Sequence, residues 1–587
     1  MMKILLTTLN SKFIHSSLAI RYLKAVIEPL EEITVELKEY TINMHNEDIL
    51  VDIYKGNYDL IVFSTYIWNY SEIENLTRAL KKVSPNTKIL LGGPEVSYAS
   101  EEEMKTNPNI DFIIFGEGED TFKEFIYAFM NNLDYDSIKG LVYREKGEIF
   151  KNSERPLIKN LDAIPFPYEE TLEDLDHRII YYESTRGCPF DCSYCLSSTI
   201  KGVRYFSLQR VKKDMLFFLN KKVKQVKFVD RTFNIKKEHY FEIIKFLNNN
   251  DNGITNFHFE ITASLLDQEV IDYLKNVRPG LFQLEVGVQT TNSTSLKTIN
   301  RGMDFSNIEK TLVEIVKLDN VHSHLDLIAG LPYEDFKSFL SSFDDVYRLK
   351  PNKLQLGFLK ILKGSEMEKN QEKYGLVYDA LPPYQIYFNK FINFDEMIVL
   401  KGIEELLDIY YNSNYFAYSL DYMINKKFKR PSEFYQAFYD YWCDEELFEH
   451  KHSKLKRYKI LLDFYKDTFE PSEVFEELLK FDYILNKNKK IDKLFNRIQP
   501  NGYRNSCHEF LQNDEKLNKY LPHFKEKNAK YIIKRVHFEK FKFDLKKFID
   551  SNYEILDQKE TTILFDYSRS TLNERSLNFE VSLEKGD

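Results

Sequence analysis

The chain reads as an α/β protein of two parallel-sheet blocks followed by a mixed, mostly helical domain. Short apolar, β-branched runs alternate with amphipathic stretches from the N-terminus to about residue 385. Continuous apolar runs separated by helical patterns mark parallel strands buried on both faces. This rhythm comes in two blocks, parted by a charged segment containing Pro156, Pro165 and Pro167. Past about residue 386 it gives way to long one-sided helices. A chain of 587 residues is too long for one core and is expected to form several domains. The expected division is 1–130, a linker over 131–174, then 175–385 and 386–587.

In the first block the runs are Ile4-Leu5-Leu6, Ile33 to Leu37, Leu60 to Phe63, Ile89-Leu90-Leu91 and Phe112 to Phe115. They predict a doubly wound, Rossmann- or flavodoxin-like domain, in which ligands lie beyond the carboxyl ends of the strands. The informative residues are therefore those that follow each run: Asn10 to Ser17, Ser64-Thr65-Tyr66, Gly92-Gly93-Pro94 and Gly116 to Glu119. Small residues there let a bulky ligand lie against the backbone.

The second block opens on Ile179 to Tyr182 and reaches Arg186-Gly187-Cys188-Pro189-Phe190-Asp191-Cys192-Ser193-Tyr194-Cys195, which holds three of the five cysteines. A CxxxCxxC loop can place three thiolates on three irons of a 4Fe-4S cube and leave the fourth iron free to bind something else. A zinc knuckle and coincidental buried thiols are the other readings, and no fourth Cys or His ligand stands near the run. Five further strand-like runs follow, Val226 to Val229, Phe257 to Ile261, Phe282 to Val286, His324 to Ile328 and Lys353 to Gly357, making six strand and helix units. A barrel of such units places its chemistry at the carboxyl ends of the strands.

The cysteine motif resembles that of the radical S-adenosylmethionine (SAM) superfamily, with the aromatic Tyr194 before the last cysteine. That resemblance implies a partial (β/α)6, TIM-like barrel and reductive cleavage of SAM to methionine and a 5'-deoxyadenosyl radical. It also implies cofactor contacts from Asp230, Glu285, Gln289 and Asp326, although Arg231 stands where relatives more usually carry a second acid. For each of these polar residues, a hydrogen bond that stabilises the barrel interior is the other reading.

The first block is similar to the cobalamin-binding domain found in one branch of that superfamily, most recognisably at Ser64 and Gly92-Gly93, with Gly116 in a further strand-end segment. A flavodoxin-like domain without a ligand is the alternative. The Asp-x-His-x-x-Gly loop that supplies a cobalt-binding histidine elsewhere is absent, since the stretch reads Asn10-Ser11-Lys12-Phe13-Ile14-His15. His15 is then a helix-start or phosphate contact, or alternatively the cobalt ligand. The last block resembles an uncharacterised C-terminal extension of such proteins and brings no chemistry with it. Within it, the basic and aromatic run Lys534 to Lys547 reads as a strand with a solvated charged face, with an RNA contact as the other reading.

A net charge of −10 and a pI near 5.8 argue against a general polyanion binder. No run of about 18 apolar residues occurs, so a cytoplasmic protein without a membrane segment is expected. Cys443 and Cys507 then read as ordinary thiols, and the cluster requires a reduced cell, as in an anaerobic bacterium. The combined reading is a cobalamin-dependent radical SAM enzyme methylating an unactivated carbon, reduced by a flavodoxin or ferredoxin. Cyclisation, rearrangement or redox chemistry with the same cofactors is the alternative. A methylthiotransferase would need three more N-terminal cysteines, which residues 1–187 lack. A non-catalytic cobalamin- or SAM-binding protein would not turn SAM over. The sequence does not name the substrate.

Overall fold

The computed structural model describes residues 2–168, 172, 175–302, 304–488, 490–570 and 575–583. The chain forms two compact units, Met1–Phe336 with Gly357–Met397, and Lys337–Leu356 with Ile398–Asp587.

In the first unit, the five expected N-terminal runs are strands β1 (Met2–Asn10), β2 (Ile33–Thr41), β3 (Leu60–Ser64), β4 (Lys88–Gly92) and β5 (Phe112–Ile114). They are parallel in the order β2-β1-β3-β4-β5. Helices α1 (Leu18–Ile27), α2 (Asn46–Gly56) and α3 (Tyr70–Val83) make the crossovers. Alternate strand residues divide between two cores. Leu5, Ile61 and Leu91 pack on one side, and Ile4, Val62 and Leu90 on the other. The order reverses at β1, so a crevice is expected beyond the carboxyl ends of β1 and β3.

Two further strands, β6 (Leu141–Glu145) and β7 (Glu148–Lys151), extend this sheet antiparallel from β5. They lie in the segment expected to be a linker. The reason is local: the hairpin turns at Lys146-Gly147, both at positive φ (50° and 89°), a geometry whose usual sequence signal, Asn-Gly or Asp-Gly, is missing. Of the same segment, residues 169–171, 173 and 174 lie outside the described residues.

The second sheet contains all six expected strands: β8 (Ile180–Tyr182), β9 (Gln225–Phe228), β10 (Asn256–Ile261), β11 (Phe282–Gln289), β12 (His322–Ala329) and β13 (Lys353–Phe358). They follow one another in sequence order across the sheet, as an unclosed βα barrel requires. Outward positions such as Val226, Phe257, Phe259, Leu284 and Leu325 are fully covered apolar side chains, so the alternate positions, many of them charged, turn inward.

The second unit is mostly helical, with helices such as Pro431–Asp444, Lys454–Thr468 and Glu473–Leu485. It ends in a three-stranded antiparallel sheet of β14 (Val536–Phe541), β15 (Thr561–Ser570) and β16 (Ser576–Val581). The basic and aromatic run therefore begins as a strand, and its Glu539 is buried against Arg497 at 2.8 Å. No helix among the described residues is long and apolar enough to cross a membrane.

Candidate active site: a cavity between two sets of strand ends

A cavity of about 760 Å³, wholly within the first unit, lies where the carboxyl ends of the two sheets face each other. The N-terminal sheet lines it with Asn10, Ser16, Ser17, Tyr66, Trp68 and Gly116. The barrel contributes Tyr181, Glu183, Gly187, Lys227, Arg231 and Glu260.

The two halves are held together by specific contacts. Ile179 N–H donates to Ile14 O at 2.7 Å and Ser16 Oγ to Ile179 O at 2.7 Å, joining the β1–α1 loop to the start of β8. Arg186, just before the cysteines, pairs with Glu183 at 2.7 Å, with Glu117 at 3.3 Å and with Glu119. Arg204 pairs with Glu117 at 2.8 Å. Burial pushes the Glu117 carboxyl up, but Arg204 and Arg186 outweigh it and hold the group below its usual range. The strand-end segment Gly116 to Glu119 thus docks on the cysteine loop, a role for Glu117 and Glu119 that only the fold reveals.

Cys188, Cys192 and Cys195 are free thiols, Cys192 buried and the other two half-buried. Gly187 stands at φ +95°, and a Cβ there would lie 2.1 Å from Gly202 O, so the approach to the cysteines admits only glycine. Cys195 N–H donates to Cys192 O at 3.1 Å, and Ser193 N–H to Ile299 O at 3.1 Å. Arg301 reaches Cys192 Sγ at 3.8 Å and Tyr194 Oη at 3.2 Å, and it also donates to Gly287 O. Burial pushes the Cys192 thiol up, and the Arg301 guanidinium opposes it. Arg301 was not anticipated, because it lies 106 residues after Cys195 and no local pattern links them. Tyr194 is held against Arg301 and does not line the cavity.

The other anticipated residues separate into three groups. Asp230 is fully buried and saturated: it accepts from Ser184 N–H (3.0 Å), Ser184 Oγ (2.7 Å) and Thr185 Oγ1 (2.5 Å). It clamps the chain just after β8 rather than lining the cavity, and burial raises its pKa to about 6. Glu285 and Asp326 point into the barrel interior, where Glu285 Oε2 lies 2.9 Å from Lys227 Nζ and 2.7 Å from His258 Nε2. Burial pushes the Glu285 carboxyl up, but His258, Lys227 and His324 outweigh it and hold it well below the usual range. Gln289 ends β11 at φ +71° with its Oε1 buried and unpaired. Strain and an unsatisfied acceptor at one strand end are the kind of outlier that accompanies ligand sites.

On the N-terminal side, Ser64 O accepts from Thr8 Oγ1 at 2.9 Å and from Asn69 at 3.1 Å. Gly93 stands at φ +113°, where a Cβ would meet Thr65 O at 2.4 Å. Gly92 O accepts from Thr65 N–H at 2.7 Å and Thr65 Oγ1 at 2.8 Å. These three residues therefore shape the strand ends from behind, whereas Gly116 (φ +79°, with nothing within 4 Å of its Cβ position) faces the cavity itself. Tyr66 and Trp68 stack at 4.3 Å and 6° as an aromatic wall. His15 Nδ1 lies 2.7 Å from Tyr181 Oη.

Three free thiols in one loop at the cavity edge fit a cluster with an open iron. A strand-end face of glycine, hydroxyls and stacked rings fits a large flat ring. Comparison with known proteins agrees with both. Residues 4–126 match the B12 binding domain, residues 182–346 the radical SAM superfamily, and residues 372–565 a family of unknown function, DUF4080. The chain is a radical SAM protein with an N-terminal B12-binding domain. More particularly, it is one whose C-terminal part belongs to the DUF4080 family.

Among curated relatives, an uncharacterized methyltransferase of Pyrococcus horikoshii is 30% identical over 33% of this chain and 44% of its own length. The cobalamin-dependent radical SAM methyltransferase TokK of Streptomyces tokunonensis is 24% identical over 48% of this chain and 44% of its own. An anaerobic magnesium-protoporphyrin IX monomethyl ester cyclase of Synechocystis is 24% identical over 48% of this chain and 57% of its own. The match thus spans less than half the length of these two methyltransferases. The fold is shared with the cobalamin-dependent SAM radical enzyme OxsB (TM-score 0.58, 15% identity, 84% of this chain and 82% of that one). It is also shared with the methyltransferase TsrM of Kitasatospora setae (TM-score 0.53, 15% identity, 64% and 76%).

Proposed function

We propose that the protein is a cobalamin-dependent radical SAM enzyme that transfers a methyl group to an unactivated carbon. The observation that carries this reading is the shared cavity, where B12-domain strand ends face the cysteine loop across one chamber. Cys188, Cys192 and Cys195 hold a 4Fe-4S cluster, and Tyr194, Gln289, Glu285 and Asp326 belong to the SAM side. Ser64, Gly92, Gly93 and Gly116 shape the cobalamin side. When bound, the reduced cluster and SAM supply a carbon-centred oxidant that removes hydrogen from the substrate, and cobalamin supplies the methyl group.

The chain's own part is orientation and exclusion of water. Arg186 and Arg204 lock the Gly116 to Glu119 loop onto the cluster loop, fixing the distance between the two cofactor sites. Arg301 fixes Cys192 and Tyr194 relative to the end of β11. Tyr66 and Trp68 close one wall, while Lys227, Arg231 and Glu260 present charges of both signs to a substrate. Asp230 serves the fold. Residues 1–130 bind cobalamin, 175–385 bind cluster and SAM, 131–174 join them, and 386–587 form an accessory domain. A flavodoxin or ferredoxin in the cytoplasm of an anaerobic bacterium supplies the electron.

A second reading, cyclisation or rearrangement with the same cofactors, is favoured by the cyclase relatives. Product analysis separates the two. The full chain, reconstituted anaerobically with iron, sulfide and hydroxocobalamin and given SAM and a reductant, is expected to release both 5'-deoxyadenosine and S-adenosylhomocysteine. 5'-Deoxyadenosine without S-adenosylhomocysteine, with cobalamin bound, would replace methyl transfer by the second reading. Release of neither would overturn enzymatic turnover of SAM.

A further inference from the structure

Deeper in the barrel than the cavity, three adjacent strands aim metal-ligating side chains at one point. His258 on β10, Glu285 on β11 and His324 on β12 each bring one ligand atom within 4.8 Å of the other two. Both histidines are more than nine-tenths buried. Three features of this cluster differ from an ordinary buried ion pair.

First, His258 Nε2 lies 2.7 Å from Glu285 Oε2, yet it has no partner in hydrogen-bond geometry. Two donors on one ion behave this way: each lone pair points at the metal rather than at the neighbouring ligand, and the donors end up about 3 Å apart. Second, His324 has distinct surroundings for its two ring nitrogens. Nε2 lies 3.0 Å from Asp326 Oδ1, and Nδ1 is turned toward Glu285 at 3.9 Å. Neither Nε2 nor Asp326 Oδ1 is in hydrogen-bond geometry, so both ring nitrogens of His324 are buried without a hydrogen-bond partner, as Nε2 of His258 is. Third, the charges do not balance. Glu260, Glu285 and Asp326 face this interior against Lys227 and, at the cavity rim, Arg231. With neutral imidazoles, one negative charge is left in excess in a low-dielectric place, where an uncompensated charge is costly.

The geometry points to a mononuclear site for a divalent transition-metal ion, ligated by His258, Glu285 and His324 and separate from the cysteine loop. Two imidazoles and a carboxylate select an ion of the Zn2+, Fe2+ or Co2+ class rather than Mg2+ or Ca2+. Lys227 now contacts Glu285 at 2.9 Å, but Glu260 lies 3.6 Å from the same ammonium, so Lys227 has a second carboxylate to turn to when an ion takes Glu285. The three ligands sit on neighbouring strands of one sheet, which fixes their backbones before any ion arrives. This site does not depend on the methyl-transfer reading.

Zn2+ is the probe. The full chain with its cluster reconstituted is dialysed against Zn2+ and then against buffer, and zinc and iron are counted by elemental analysis. One zinc per chain is expected in the parent, with an X-ray absorption edge showing nitrogen and oxygen ligands and no sulfur. His258→Ala and Glu285→Gln should each lower zinc at least tenfold while iron per chain stays constant. Glu285→Gln keeps the shape of the side chain and serves if His258→Ala does not fold. A parent that holds no zinc, zinc with sulfur ligands, or variants that keep full zinc would each overturn the site. Iron content, measured on the same samples, reports on the cysteine assignment independently.

Discussion

The two sets of strand ends that face the cavity achieve a binding surface by opposite means. The N-terminal side lines the cavity with glycine, serine, a carboxamide and stacked rings. Its charged and titratable members Glu117, Glu119 and His15 are turned to Arg186, Arg204 and Tyr181, and behind it Gly93 packs so closely on Thr65 that a Cβ would lie 2.4 Å from its carbonyl. The barrel end offers ammonium, guanidinium and carboxylate, with Gly187 and Leu196, which flank the three cysteines, at its edge. A surface of the first kind recognises shape, because backbone and small side chains allow close approach. A surface of the second kind recognises charge and supplies ligands. The difference teaches where substitutions act: on the first side through sterics and ordered strand ends, on the second through lost ligands and uncompensated charge.

The sharpest break of this contrast is on the barrel side. Changing any one of Cys188, Cys192 or Cys195 to Ala should reduce iron from about four per chain to background and abolish SAM cleavage, with cobalamin uptake unchanged. Full cleavage by a single variant would remove the ligand assignment.

The mirror experiment is Gly93→Leu. The clash with Thr65 O at a φ of +113° should cost roughly 1–3 kcal/mol of local stability and lower cobalamin uptake at least tenfold. Iron content should stay at the parental level, so equal cobalamin uptake would show that the glycine end does not shape the site.

Asp230 gives an effect of similar size with a defined pH signature. Its carboxyl titrates near about 6 when folded against an ordinary 3.8, so the folded chain holds the proton more tightly. Stability is therefore greatest below about pH 4 and declines as pH rises to about 6, by up to about 3 kcal/mol from this group. Asp230→Asn should flatten that part of the stability profile in urea unfolding followed from pH 4.5 to 7. An unchanged slope would contradict the buried, clamping role.

The smallest expected effect is Tyr181→Phe. It removes the hydroxyl that meets His15 across the two halves, at a cost of about 1 kcal/mol. Cobalamin affinity should fall no more than about fivefold, and complete loss would mean that His15 and Tyr181 contact the cofactor directly.

Much of this architecture was legible because fully buried parallel strands announce themselves as apolar runs, from Ile4-Leu5-Leu6 to Lys353 to Gly357. The cysteine loop was legible because its three thiols are local in sequence. The hairpin of β6 and β7 was hidden by short strands, half of them charged, and a Lys-Gly turn. Asp230 was anticipated as a cofactor contact, but the structure gives it to Ser184 and Thr185. The residue type was visible, while its partners depend on where a strand 46 residues earlier ends. Arg301, Glu117 and the His258, Glu285 and His324 cluster follow the same rule: pairings between segments far apart in the sequence leave no periodic trace in it.

The central claim is that one chain places a cobalamin site and a cluster site on a single cavity. It is tested most directly by the absorption spectrum and cobalamin content of desalted protein, reconstituted anaerobically with iron, sulfide and hydroxocobalamin. The account predicts close to one cobalamin together with about four irons per chain. An intact cluster with no cobalamin would contradict it, leaving a radical SAM barrel beside an N-terminal domain that binds nothing.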